Sequence, residues 1–182
     1  MKKIIVFFVL LNFAFATNEN LKNMDLITLF KNNYYTYICN NRWNYINKYV
    51  NKNEKLLSLV LYACLKKRYL TPALDIAKVL TVTKEGRTNA TYITTLFLMK
   101  KLLLQILNGD LTIGNLNLPI IKDNTLGIVF YQIEHNNYKL QDKKIFTNFN
   151  NKKFITYISD DNNIVIETYD KNNTLIKKEF YW

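Results

Sequence analysis

Up to about Gly109 the apolar residues return every third or fourth position. Beyond Leu111 they alternate with polar residues or cluster in short runs between Asn and Asp pairs. The first spacing is that of an amphipathic helix and the second that of a strand, so the chain reads as a helical part followed by a sheet. Asp25 is placed to cap a first helix whose apolar face is Leu26, Ile27, Leu29, Phe30, Tyr34, Tyr37 and Ile38. Asn40-Asn41 ends it, and a short second helix carries Trp43, Ile46, Tyr49 and Val50. A third runs from Glu54 to about Tyr69. Thr71-Pro72 predicts the start of a fourth, with Thr as cap and Pro at the first helical position. Lys84-Glu85-Gly86 reads as a connector. A fifth helix then runs from Thr88 or Asn89 to a stop at Asn108-Gly109. Its apolar residues cover most of its circumference, which predicts a central, buried helix. Lys100 and Lys101 in its middle argue against a membrane span.

In the second part, Gly127–Ile133 gives the strongest strand signal. Tyr138–Leu140, Lys144–Phe149, Phe154–Ile158, Ile164–Tyr169 and Thr174–Tyr181 follow it. Asn and Asp between them tolerate the positive φ of tight hairpin turns, so an antiparallel meander is expected. The fold class is therefore α+β: N-terminal α-helical hairpins, as a short stack or bundle, over residues 17–109, then a C-terminal antiparallel β-meander over 110–182. A single integrated domain is the alternative.

Cys39-Asn40-Asn41-Arg42-Trp43 is echoed by Leu65-Lys66-Lys67-Arg68-Tyr69. Each time a helix ends, a basic corner carries an aromatic, and a shorter helix follows. Two copies fit stacked helical hairpins, although the period is shorter than that of tetratricopeptide repeats and their Trp-Leu-Gly-Tyr pattern is absent. In such a stack the first helices of successive units run parallel. Cys39 and Cys64 would then lie near the same end of neighbouring helices, where a disulfide can form.

The chain opens with cationic Met1-Lys2-Lys3, an apolar run from Ile4 to Leu11, and Ala14-Phe15-Ala16 before Thr17. This is the pattern of a cleaved secretory signal over residues 1–16, and the apolar run is far short of the roughly 20 residues that span a bilayer. The expected location is the periplasm or the exterior. That compartment is oxidising and suits the Cys39–Cys64 pairing. No membrane-spanning segment is expected after cleavage.

Charge and composition then narrow the chemistry. The formal net charge is +11, carried almost wholly by lysine, with Arg42, Arg68 and Arg87 the arginines. Lysine doublets beside aromatics suit an acidic surface or anionic lipid better than base-specific reading of nucleic acid, for which lysine lacks the forked geometry. His135 is the one histidine and reads as a turn residue; Ser58 and Ser159 are the serines, without a Gly-rich elbow. No metal set or cofactor fingerprint is present in the sequence. Asp75, Asp110, Glu134 and Glu54 are the carboxylates available for glycan hydrolysis, and nothing in the sequence pairs any two of them. Asp170-Lys171-Asn172-Asn173-Thr174 resembles the extended acceptor of some bacterial N-glycosylation systems, which makes Asn172 a glycosylation candidate. Asn89-Ala90-Thr91 is the bare form.

These features favour a non-enzymatic interaction or assembly protein of the cell envelope. It would bind a protein partner through its helical surface, with Arg42, Trp43, Arg68 and Tyr69 as the patch, or through a sheet edge. An envelope glycan (peptidoglycan) hydrolase using carboxylates and a small secreted effector or toxin are the alternatives. The leader gives the first prediction: the exported protein begins at Thr17 by N-terminal sequencing, and Met1 retained on exported protein would refute the cleavage.

Overall fold

A computed structural model describes residues 18–111 and 117–182. The leader expected over residues 1–16, with Thr17, lies outside the described residues. The described chain forms eight helices followed by a five-stranded antiparallel sheet: α1 (Asn18–Lys22), α2 (Leu26–Lys31), α3 (Tyr35–Asn40), α4 (Arg42–Tyr49), α5 (Glu54–Lys66), α6 (Leu70–Ala77), α7 (Lys84–Asn108), α8 (Thr125–Glu134), β1 (Tyr138–Gln141), β2 (Lys144–Phe149), β3 (Lys152–Ile158), β4 (Ile164–Tyr169) and β5 (Leu175–Tyr181). The strands lie in sequence order β1-β2-β3-β4-β5. The expected α+β architecture with a C-terminal meander is what the structure has.

Local chemistry sets most boundaries. Asp25 caps α2, its Oδ1 accepting from Ile27 N–H at 2.9 Å and Thr28 N–H at 3.0 Å. The single helix expected over Leu26–Ile38 is two helices, because Asn33 takes a left-handed turn at φ 60° between α2 and α3. Gly109 ends α7 at φ 83°, the left-handed stop expected there. Both central residues of the β1–β2 turn (Asp142, Lys143) and of the β2–β3 turn (Asn150, Asn151) have positive φ. That is the hairpin geometry favoured by the twist of the strands it joins.

Three further expectations need correction. Gly127–Ile133 is not a strand but the body of α8, capped by Asn124 Oδ1 on Leu126 N–H at 3.0 Å. Its buried residues Leu126, Val129, Phe130 and Ile133 fall at helical spacing, a stripe masked by the continuous apolar run. Gly127 lies so close to the Ile121 carbonyl that a Cβ would collide with it. Second, Lys84-Glu85-Gly86 is the first turn of α7, capped by Thr83 Oγ on Gly86 N–H at 2.9 Å. Third, α6 starts before Thr71. The N–H groups of Leu70 and Thr71 go to the Trp182 carbonyl at 3.1 and 3.4 Å, so a partner distant in sequence replaces the local cap.

Two apolar cores form. One lies among the helices and includes Leu29, Ile38, Leu57, Val60, Ile76 and Leu80. The other lies between α7, α8 and the inner sheet face, and includes Leu96, Met99, Leu103, Phe130, Ile145, Ile166 and Tyr181. α7 joins them: Ile93 belongs to the first, and Leu96 onward to the second. By length and composition α7 could cross a membrane; in the fold it is the central helix that its apolar circumference predicts. Lys100 is buried on it, and burial, then the Lys101 charge, pushes its pKa down to about 8.

The helical core is stapled by the Cys39–Cys64 disulfide between α3 and α5, with Cα atoms 5.0 Å apart. For a loop of this size the chain-entropy model gives about 3.5 kcal/mol of stabilisation.

A second staple is a set of hydrogen bonds to one carboxylate. Glu54, at the start of α5, accepts through Oε1 from the N–H of Thr81 (2.6 Å) and Val82 (2.8 Å), and through Oε2 from the N–H and hydroxyl of Thr83 (2.6 Å each). Gly86 has no Cβ because one would strike this carboxylate. Burial alone would raise the Glu54 pKa; the Thr83, Val82 and Thr81 donors outweigh it and hold it at about 2. A depressed folded pKa means the stabilisation is complete above about 4.5, the ordinary value, and fades as pH falls towards 2. Glu54→Gln is expected to cost about 2 kcal/mol in urea unfolding at pH 7, with the deficit shrinking on acidification; an equal deficit at pH 3 would contradict the assignment.

Candidate functional site at the helix–sheet junction

The end of the chain builds the joint between helices and sheet. After α5 the chain turns at Arg68, whose φ is 59°. That turn presents the Arg68 carbonyl to Trp182 N–H (3.1 Å) and Leu70 N–H to the Trp182 carbonyl (3.1 Å). The two bonds straddle Trp182 as a neighbouring strand would. The Arg68 guanidinium then meets the Glu179 carboxylate on β5 as an ion pair with a hydrogen bond through Nε. Lys177 Nζ lies 3.0 Å from the same Oε1.

Glu179 faces inward beside Tyr181, and its side chain is 3 % exposed. Its Oε2 has no hydrogen-bond partner among the described residues, although the Thr125 hydroxyl lies near enough to favour the ionised form. Burial pushes the Glu179 pKa up, but Thr125, Lys177 and Arg68 outweigh it and hold it below the ordinary carboxylate value. Tyr181 closes the floor: its hydroxyl donates to Asn124 Oδ1 at 3.2 Å and accepts from Leu126 N–H at 3.3 Å, which ties β5 to the start of α8. Burial raises the Tyr181 pKa.

Above this floor lies a cavity of about 440 Å³ between α5, α7, the start of α8 and β5. Its walls mix hydroxyl, amide and charged groups with Leu61, Leu65 and the rings of Tyr62 and Tyr92, so that the apolar surface is nearly as extensive as the polar. Asn89 Nδ2 donates to Ser58 Oγ at 3.1 Å, and the Tyr92 hydroxyl donates to Asp123 Oδ1 at 3.2 Å. Burial and then the Asp123 charge push the Tyr92 pKa up. Lys66 Nζ sits 4.9 Å from the centre of the Tyr62 ring.

The residues expected to form a partner patch fall at two corners. Arg68 and Tyr69 are at this junction, with Tyr69 half-buried against the helical core. Arg42 lies on α4 and pairs with Asp75 of α6, Nε to Oδ2 at 2.9 Å. Trp43 is 52 % exposed, with the Arg42 guanidinium 5.3 Å from its ring. Both guanidinium groups thus hold carboxylates of the chain itself. Asn172 is exposed in the β4–β5 turn, where Asp170 Oδ1 accepts from the N–H of Asn172 and Thr174 at 2.8 Å each. Asn89 of the bare motif is bonded to Ser58 inside α7.

The carboxylates considered for glycan hydrolysis are dispersed. Asp75 is paired with Arg42 and Lys78, and Glu54 is enclosed by backbone donors. Glu134 accepts from Leu118 N–H at 3.3 Å, and Asp110 is exposed beyond α7. His135 is an exposed residue at the end of α8, not in a hairpin, with Nδ1 2.8 Å from the Tyr131 carbonyl. Among the described residues no three His, Cys, Asp or Glu side chains gather as a metal set.

Sequence reasoning missed Glu179, Asp123 and Asn124. The signal for Glu179 was available: it shares the inward parity of Tyr181 in the last strand, so an acidic residue was due to be buried. Removing one partner of a buried pair leaves an uncompensated charge. Arg68→Gln is therefore expected to destabilise by about 3 kcal/mol and Arg42→Gln, whose carboxylate partner Asp75 is less deeply buried than Glu179, by less; equal losses in denaturant unfolding would contradict this ranking. No family model, curated protein or solved structure matches this chain.

Proposed function

We propose that this is an exported, non-enzymatic interaction protein of the cell envelope, and that it holds a protein partner along the free edge of β5. The observation that carries the reading is the exposure of that edge strand. Leu175, Ile176 and Phe180 are 48 %, 54 % and 38 % exposed. A long edge with uncovered apolar side chains is a template for a further strand unless something occupies it. At its far end the same edge already bonds a segment of its own chain, Arg68–Leu70, through Trp182. By the period of two, Phe180 and Lys178 turn their backbone groups the same way as Trp182.

The charge around the edge selects an acidic partner segment. On the outer face of the sheet, Lys178 Nζ lies 5.5 Å from the Tyr157 ring and 5.7 Å from the Phe180 ring, and Lys144 and Lys153 lie over Tyr157 and Phe146. The carboxylate among them, Glu167, is neutralised by Lys178 at 2.9 Å and by the hydroxyls of Tyr157 (2.8 Å) and Tyr169 (2.7 Å). The disulfide supports an oxidising compartment.

A photo-crosslinking residue placed at Ile176, with the same residue at Trp43 for comparison, tests this in the native envelope. Crosslinks should concentrate at position 176. Phe180→Pro, which removes an outward N–H at an edge position that tolerates proline and leaves the Lys178–Glu167 pair in place, should reduce them about tenfold while the melting temperature holds. Crosslinks concentrated at position 43, or indifferent to the proline, would overturn the reading.

A further inference from the structure

We infer that the outer face of the sheet seats the protein on an anionic phospholipid surface. This goes beyond the proposed use of the β5 edge and does not rest on it. A strand added at that edge lies one spacing, about 4.8 Å, beyond Lys178 and leaves the lysines of β1, β2 and β3 unanswered.

The strand register lays out the face. One row crosses all five strands as Lys139, Phe146, Ile155, Glu167 and Lys178. Four spacings of about 4.8 Å make it about 19 Å wide. The row on one side carries Lys144, Tyr157, Val165 and Phe180, and the row on the other carries Lys153 and Tyr169. Across these rows stand four lysines and one carboxylate, and Lys178 already answers that carboxylate at 2.9 Å. Lys139, Lys144 and Lys153 make no ion pair among the described residues. Rings rather than carboxylates lie beside two of them: Lys144 Nζ is 5.7 Å from the centre of the Tyr157 ring, and Lys153 Nζ is 5.9 Å from that of Phe146.

Beneath the ammonium groups the face is apolar. Val165 is wholly buried there, on the side away from the core, and Phe146, Ile155 and Tyr157 are half-buried. At the β5 border Phe180 is exposed, as is Trp182, which shares its parity. Ammonium groups on flexible stems above aromatic and aliphatic side chains suit the headgroup region of a bilayer. The stems let the charge reach phosphate, and the rings settle at the level of the headgroups.

The layout favours a lipid surface over other polyanions. A single nucleic-acid strand binds by stacking its bases on free rings, whereas the Phe146, Tyr157 and Phe180 rings each have an ammonium group within 6 Å of their centres. An acidic peptide follows one line, and these lysines are spread along the strands as well as across them. A bilayer presents its phosphates in two dimensions, as the face presents its lysines.

Co-sedimentation of the full exported chain with vesicles tests the assignment, using phosphatidylcholine alone and an equimolar mixture of phosphatidylcholine and phosphatidylglycerol. Binding should occur with the mixed vesicles and fall as salt is raised. Lys144→Gln combined with Lys153→Gln breaks no ion pair and should weaken it about thirtyfold, at about fivefold for each lysine. Lys52→Gln combined with Lys55→Gln, the same change of charge at exposed positions of the helical part, should leave it unchanged. Equal losses from the two pairs would mean attraction by net charge alone and would overturn the proposal. So would equal binding to phosphatidylcholine alone, no binding to the mixed vesicles, or tighter binding to a single-stranded oligonucleotide or to polyglutamate. The assay holds no protein partner, so its outcome is separate from that of crosslinking at position 176.

Discussion

The contact between Arg68 and the last strand holds the two parts of the molecule in one frame. Glu179 is nearly sealed from water, so its charge must be answered within the protein, and Arg68 with Lys177 answers it. The cost of that arrangement is a non-glycine residue in the left-handed region at Arg68. The return is geometric. The same turn offers the backbone groups that take up Trp182 and begins α6 without a side-chain cap. One residue thereby fixes the end of α5, the start of α6 and the end of β5. The cavity lies where α5, α7, the start of α8 and β5 converge beside this joint without closing on one another.

The two basic corners use one device at different range. Arg42 opens α4 and pairs with Asp75 on α6, a joint inside the helical part. Arg68 closes α5 and pairs with Glu179 in the sheet. Their sequence likeness therefore reflects a shared joinery role as well as a shared position after a helix. Trp43 and Tyr69 diverge accordingly. Trp43 stands half in solvent, while Tyr69 is packed where the chain passes from one helix to the next. An aromatic beside an arginine in a sequence is thus weak evidence of a surface patch until the partner of the arginine is known.

What the sequence made legible follows physical range. Asp25, Gly109 and the Asn- and Asp-rich turns act through neighbours a few residues away, and their structures match the reading. The Cys39–Cys64 pairing was legible because a repeat supplied the missing geometry. The failures share a different cause. α6 starts at Leu70 because Trp182, at the far end of the chain, satisfies its first N–H groups. α7 starts at Lys84 because Glu54 gathers the Thr81–Thr83 backbone from another helix. α8 looked like a strand because it is buried on several sides, which erases the polar positions that would have displayed its period. The cavity was invisible for the same reason: its walls come from four elements that are remote in sequence.

Glu54 and Glu179 show two ways in which this fold keeps a buried carboxylate ionised. Both are buried, and in both the neighbouring donors overcome the effect of burial and keep the carboxyl ionised. At Glu54 both oxygens are consumed by backbone and hydroxyl donors, and a glycine has been placed so that nothing intrudes. That carboxylate is saturated, and its work is finished on folding. At Glu179 one oxygen is doubly engaged while the other is buried without a hydrogen-bond partner among the described residues. Arginine prefers to meet both oxygens of a carboxylate side by side, and Arg68 does not. It engages one oxygen, as Arg42 does at Asp75, but there Lys78 takes the second oxygen, whereas Glu179 Oε2 is sealed from solvent without a hydrogen-bond partner among the described residues.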